Sequence, residues 1–207
     1  MRARVGVIMK WIPLAMVTTA FATSSSLIAD GESKDALQES SFEFALDFNH
    51  PENEPKWSSV NDGVMGGLSE GQATIENGVL IFEGALSLEN NGGFASVRTP
   101  TVTNQYNFAG SDGLVLRVKG DGRSYQLRLS TDARHRGSLV SYQSQFETEN
   151  EEWMEVRVPF QKMKPSWRGQ MLSGHVLDAS KVSQLGILIG DKKEGPFRLE
   201  VDWLKVF

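Results

Sequence analysis

The sequence predicts an all-β domain, an antiparallel sandwich or barrel, and three observations predict it. Apolar residues recur at period two in short runs, and those runs are separated by Gly, Asn, Asp and Pro clusters. Beyond the first 29 residues, no stretch of ten or more holds a strong 3.6-residue period. At 207 residues with 40% hydrophobic and 23% charged, the composition is that of one globular domain behind a leader.

Residues 1–29 contain Arg2, Arg4 and Lys10 but no Asp or Glu, and an apolar run from Trp11 to Ala22 follows. Ala20-Phe21-Ala22 has the small-x-small form read by signal peptidase, and Leu27-Ile28-Ala29 offers a second end. The run is short for a membrane span and Pro13 interrupts it. The expectation is an exported protein, periplasmic or secreted, with no membrane span in the mature chain. A mitochondrial transit peptide is the alternative, since such leaders are also basic, Ser-containing and acid-poor. Residues 30–41 are polar and aperiodic and read as a linker.

The domain proper is expected over 42–207. Phe42, Phe44, Leu46 and Phe48 alternate with Glu43, Ala45 and Asp47. Val79 to Phe82 follows the turn pair Asn77-Gly78, and Gly113 to Lys119 reads as a further strand. Tyr125, Leu127 and Leu129 face one way while Gln126, Arg128 and Ser130 face the other. Ser141, Gln143 and Gln145 separate from their neighbours in the same manner. Val156 and Val158 lead into Pro159, and Leu185 to Ile189 forms another run. Along 197–206, Phe197, Leu199, Val201 and Trp203 share a side opposite Arg198, Glu200 and Asp202. Asp178 to Gln184 has room for one or two helical turns.

Charge and composition exclude several functions. Without the leader, 18 basic residues stand against 26 acidic ones, a formal −8 that disfavours nucleic acid. The absence of cysteine removes disulfides, thiol catalysis and Cys-ligated zinc. His50, His135 and His175 share no metal-type spacing, and no dinucleotide loop, phosphate loop or nucleophile elbow is present. The acidic run Glu149, Glu151 and Glu152 reads as a solvated edge rather than an acid/base pair. No catalytic residue and no cofactor is predicted.

The most informative stretch is Asn61-Asp62-Gly63-Val64-Met65-Gly66-Gly67. Three glycines, an Asx pair and a buried-type Val-Met couple describe a tightly shaped loop, and shaped loops on rigid scaffolds carry function. Asp62 is expected to cap the turn by accepting backbone amides. A structural calcium on loop carbonyls with Asp62 or Asp112 is the other use for that carboxylate. Gln126, Arg128 and Arg198, gathered with Glu and Asp on one sheet face, would suit a hydroxyl-rich ligand or a polar protein surface, and Arg98, whose facing parity leaves open, is a further candidate. A plainly solvated sheet face has the same pattern. Trp57 and Trp167 are loop aromatics, fit as lids over the core or as sugar-stacking platforms, with the core role favoured.

Three blocks together carry a resemblance: Trp57–Gly71 (WSSVNDGVMGGLSEG), Leu86–Thr99 (LSLENNGGFASVRT) and Gly186–Val206 (GILIGDKKEGPFRLEVDWLKV), with Trp153–Trp167 (WMEVRVPFQKMKPSW) in order between the last two. In these the chain resembles the complex I intermediate-associated protein 30 family, named for an assembly factor of NADH:ubiquinone oxidoreductase, over about Phe42 to Phe207. Matching positions are Asn61, Asp62, Gly63, Met65, Gly66, Gly67, Ser69, Arg98, Phe160, Trp167, Asp191, Phe197 and Trp203. The resemblance implies a galactose-binding-like jelly-roll β-sandwich and a non-catalytic, chaperone-like module engaging a protein client. The leader departs from the family's matrix setting in reading as secretory. A carbohydrate-binding module on the same sandwich, using Trp57, Trp167 and Gln126, is the alternative.

Overall fold

Two antiparallel sheets share one apolar core in the computed structural model, which describes residues 44–50 and 55–207. The leader expected at 1–29 and the linker expected at 30–41 lie outside the described residues. The described residues form thirteen strands: β1 (Phe44–Asp47), β2 (Ser58–Ser59), β3 (Glu70–Glu76), β4 (Val79–Leu86), β5 (Ala95–Arg98), β6 (Gly113–Asp121), β7 (Ser124–His135), β8 (Ser138–Glu147), β9 (Asn150–Pro159), β10 (Lys164–Trp167), β11 (Gln170–Met171), β12 (Gln184–Ile189) and β13 (Gly195–Val206). Sheet one has the order β3-β4-β13-β6-β9, with β1 also on β13; sheet two runs β11-β10-β8-β7-β12-β5-β2. This is the expected antiparallel β-sandwich. Among the described residues no helix is long and apolar enough to cross a membrane.

The alternation read from the sequence decides which side chains meet in the core. Tyr125, Leu127 and Leu129 of β7 are buried against Leu80 and Phe82 of β4, Leu114 and Leu116 of β6, and Phe197 and Leu199 of β13, in one cluster. Fully burying one such side chain is worth roughly 1.5–3 kcal/mol. Three two-residue hairpin loops join consecutive strands: Asn77-Gly78, Arg136-Gly137 and Arg168-Gly169. Both residues of each have positive φ, the backbone twist that matches the twist of paired strands. The stretch expected to hold one or two helical turns has one 3-10 turn at Ala179–Lys181, capped by Asp178, whose carboxylate accepts from the Ser180 amide at 3.1 Å.

One parity assignment fails. Trp203 does not join Phe197, Leu199 and Val201 in the core. Between Val201, opposite Val118, and Leu204, opposite Leu116, the β13 register slips, so Asp202 and Trp203 together face Arg117. An extra residue in one strand inverts the facing of all that follow. Leu204 therefore takes the buried place, and Trp203 lies half-buried on the outer face beside Lys205.

A candidate binding groove on sheet two

The glycine loop is built around one carboxylate. Asp62 opens a 3-10 turn, Asp62–Met65, and is fully buried. Its Oδ1 accepts from the Ser69 amide at 2.9 Å; its Oδ2 accepts from Ser69 Oγ at 2.5 Å and from the amides of Gly93 at 2.6 Å and Phe94 at 3.2 Å. Burial alone would raise this carboxyl, but the donors, Ser69 Oγ foremost, outweigh it and hold it below its ordinary value. Gly67 and Gly92 are required here. A Cβ on Gly67 would run into the Asp62 carboxylate, and one on Gly92 would stand 2.6 Å from Oδ2. Asp62 thus caps the loop as expected, through amides of a distant segment as well as its own. The calcium alternative fails at Asp62: the carboxylate is surrounded by N–H and O–H donors, the opposite of the oxygen cage a cation needs. No cluster of three metal-ligating side chains involves Asp112 or any other described residue.

Asn61 also serves the scaffold. Its Nδ2 donates to Gly71 O at 3.1 Å and its Oδ1 accepts from the Ser96 amide at 3.3 Å, fastening the loop to β3 and β5. With Asp62 turned inward, Val64 and Met65 point out, 74% and 67% exposed. The buried role read for this couple is thereby corrected. The loop's own turn is too short to have an inner apolar face, and the buried place is taken by a carboxylate.

Val64 and Met65 form one rim of a groove of about 880 Å³ over the outer face of sheet two. Strand register defines its floor. Arg98 of β5 and Arg128 of β7 both stand directly opposite Gly186 of β12, and Gln143 of β8 and Lys164 of β10 continue the row. Two strand spacings place the Arg98 and Arg128 backbones about 10 Å apart. Gly186 keeps the floor low between them; a Cβ there would lie 3.2 Å from Val97 O and 3.4 Å from Arg98 Cβ. Arg128 donates to Gln143 Oε1 at 2.6 Å and to Gln126 Oε1 at 3.3 Å, while Arg98 reaches Ser96 Oγ at 3.5 Å.

Among the described residues no carboxylate forms an ion pair with either arginine. Burial, with the like charge of Arg98 added, pushes Arg128 down to about 10, and burial lowers Arg98 as well. Serines line much of the groove, and Arg168 of the β10–β11 turn closes the far side.

The remaining candidates are dispersed. Trp57 packs on the core, its ring 6.5 Å from that of Phe48, so the core role holds over the sugar platform. Trp167 lies between the turn arginines Arg136 and Arg168, with their guanidinium carbons 5.5 and 5.0 Å from its ring, and His135 meets it at 5.3 Å. Arg198 belongs to the outer face of sheet one, where Glu83 and Glu200 neutralise it and raise it above its ordinary value. The single polar face expected from the sequence is therefore two faces on opposite sides of the sandwich. Arg98, Gln126 and Arg128 come together on one; Arg198, Glu200 and Asp202 stand on the other. Arg168 was not anticipated, though Arg168-Gly169 is a recognisable two-residue turn.

Comparison with known proteins places this geometry. A family model described as Complex I intermediate-associated protein 30 matches residues 46–201. The mitochondrial complex I intermediate-associated protein 30 of Mus musculus is 30% identical over 181 residues, covering 77% of this chain and 54% of the relative. Its Drosophila melanogaster counterpart is 26% identical over 180 residues, covering 77% and 60%. The chain thus spans little more than half the length of these two relatives. Among solved structures, the family 11 carbohydrate-binding module of a Clostridium thermocellum cellulosomal cellulase superposes with a TM-score of 0.59 at 13% identity, covering 80% of this chain and 94% of the module. At that identity the likeness is one of fold alone. With the family model matching three-quarters of its length, from Leu46 to Val201, the chain belongs to the complex I intermediate-associated protein 30 family.

Proposed function

We propose that the domain is a non-catalytic protein-binding module whose client is part of a complex I assembly intermediate, and that the sheet-two groove is where the client docks. One observation carries this reading: Arg98 and Arg128 are held half-buried, side by side, without a carboxylate partner among the described residues. Burying unpaired charge is costly, so such a pair is retained where a ligand completes it. Among the described residues the groove lining has no Asp, Glu or His to serve as a general base, which favours binding over chemistry. The names of the mouse and fly relatives supply the class of client.

Affinity purification of the tagged chain from fractionated cells tests it, with Arg98→Gln/Arg128→Gln alongside. The expected result is NADH:ubiquinone oxidoreductase subunits with the wild type and their loss from the variant; a wild-type preparation without any such subunit would overturn the reading. The mature N-terminus read in the same preparation assigns the address. The relatives are mitochondrial by name, and an acid-free leader containing Arg2 and Arg4 serves that address as well as export.

The second reading, a carbohydrate-binding module, rests on the fold shared with the cellulase module. Binding to a glycan array that is lost in the same arginine variant would establish it.

A further inference from the structure

We infer that the groove captures an extended acidic peptide segment, its carboxylates taken by Arg98 and Arg128 and its apolar side chains seated against Val64 and Met65; this rests on the protein-client reading and specifies the client's contact chemistry. Charge complementarity is the first argument. The chain is acidic overall, at −5, yet its groove is lined by Arg98, Arg128 and Arg168 with no acidic residue among the described lining. A planar guanidinium binds a carboxylate through two parallel N–H···O bonds. Gln143 and Gln126 already occupy donor positions on Arg128, fixing its plane and leaving the rest of the fork to a ligand.

Spacing supports the same occupant. The two arginines stand about 10 Å apart across β12. An extended peptide places alternate side chains on one face every ~7 Å, within the reach of two long side chains converging over Gly186. The second argument is the rim. Val64 and Met65 are solvent-exposed because Asp62 holds their turn inside out, and exposed apolar groups beside a charged groove are a feature of protein contact surfaces. A sugar site would want a broad aromatic platform, and the one aromatic among the described lining residues is the half-buried Phe94, with neither Trp nor Tyr.

The test uses a capped peptide alternating glutamate with leucine, the same peptide with glutamine for glutamate, and tetragalacturonate as an anionic sugar, each titrated against the full chain by calorimetry. The glutamate peptide is expected to bind, to weaken tenfold or more in Arg98→Gln and in Arg128→Gln, and to be unaffected by Arg198→Gln on the opposite face. Raising salt from about 0.1 to about 0.5 M is expected to weaken it too, since the screening length shrinks. Arg98→Lys and Arg128→Lys keep the charge without the fork and are expected to retain part of the affinity, which separates recognition from misfolding.

Equal binding of the glutamine peptide, or binding of tetragalacturonate alone, would overturn the inference. A groove-filling Ser141→Trp variant keeps this result separate from the client reading. If Ser141→Trp abolishes capture of the complex I subunits while Arg98→Gln/Arg128→Gln does not, the client reading stands and the acidic segment fails. If neither alters capture, both fail.

Discussion

The amide of Gly93 donates to the Asp62 carboxylate at 2.6 Å across 31 residues of chain. That one bond, with its companions from Phe94 and Ser69, locks the glycine loop to the segment leading into β5, the strand that carries Arg98. The loop and the arginine are therefore parts of one rigid unit.

Asp62→Asn is expected to cost about 2–4 kcal/mol, because an amide group would turn its own N–H donors toward those of Gly93 or Ser69, and hydrogen bonds to a charge are worth roughly 1.5–3 kcal/mol each. Urea denaturation measures it. The folded Asp62 carboxyl titrates below its unfolded value, so its stabilisation is complete above pH about 4 and is lost as pH falls through the folded value. The wild type should lose stability below pH about 4 more steeply than Asp62→Asn does.

Gly67→Ala and Gly92→Ala place a Cβ against the same carboxylate, and each is expected to destabilise by about 1–3 kcal/mol through overpacking. Their cost should shrink in an Asp62→Ala background. Additive costs in the double variants would show that the crowding comes from elsewhere.

Arg123 ties β7 to the β12–β13 turn. It donates to Asp191 through Nε at 3.0 Å and a terminal nitrogen at 2.7 Å, and to the Pro196 carbonyl at 2.7 Å. Burial would raise the Asp191 carboxyl, but Arg123 outweighs that and keeps it below its ordinary value. Removing either partner leaves a buried charge uncompensated, so Arg123→Ala or Asp191→Ala should cost about 3–5 kcal/mol. A double-mutant cycle by thermal unfolding should show strong non-additivity, because the second removal relieves the orphan left by the first.

In the groove the sign reverses. Arg128→Gln removes one of two like charges that burial already disfavours, and should raise the stability of the unliganded protein by up to about 1 kcal/mol. Burial and the like charge of Arg98 both disfavour the charged Arg128, so added salt, which screens the repulsion between the two guanidinium groups, should narrow the difference between wild type and variant.

Much of this was legible in local pattern. Period-two alternation located β7 and the first half of β13, continuous apolar runs located β4, β6 and β12, and Asn77-Gly78 announced its hairpin. What stayed hidden depends on contacts between distant segments. Nothing in the sequence places Arg98 opposite Gly186, since that register belongs to β5 pairing with a strand almost ninety residues later. Arg128 and Arg198 looked alike, each alternating with buried neighbours, and only sheet membership puts them on opposite sides. The Val64-Met65 couple misled because hydrophobicity predicts burial for an apolar pair, whereas here the loop folds around a carboxylate. Trp203 was displaced by one inserted residue, which parity cannot detect.

The place of β13 has a consequence for how the chain comes to be folded. It lies between β4 and β6 and also pairs with β1, so sheet one cannot close until the ribosome has made residues 195–206. β12, interior to sheet two, comes only a few residues earlier. Cotranslational folding is thereby deferred until nearly the whole domain has been synthesised, and contacts of such long sequence separation form slowly. Until those last strands arrive, the faces of β4, β6, β7 and β5 that they cover stay open, so the emerging domain depends on its C-terminal segment to bury its own core.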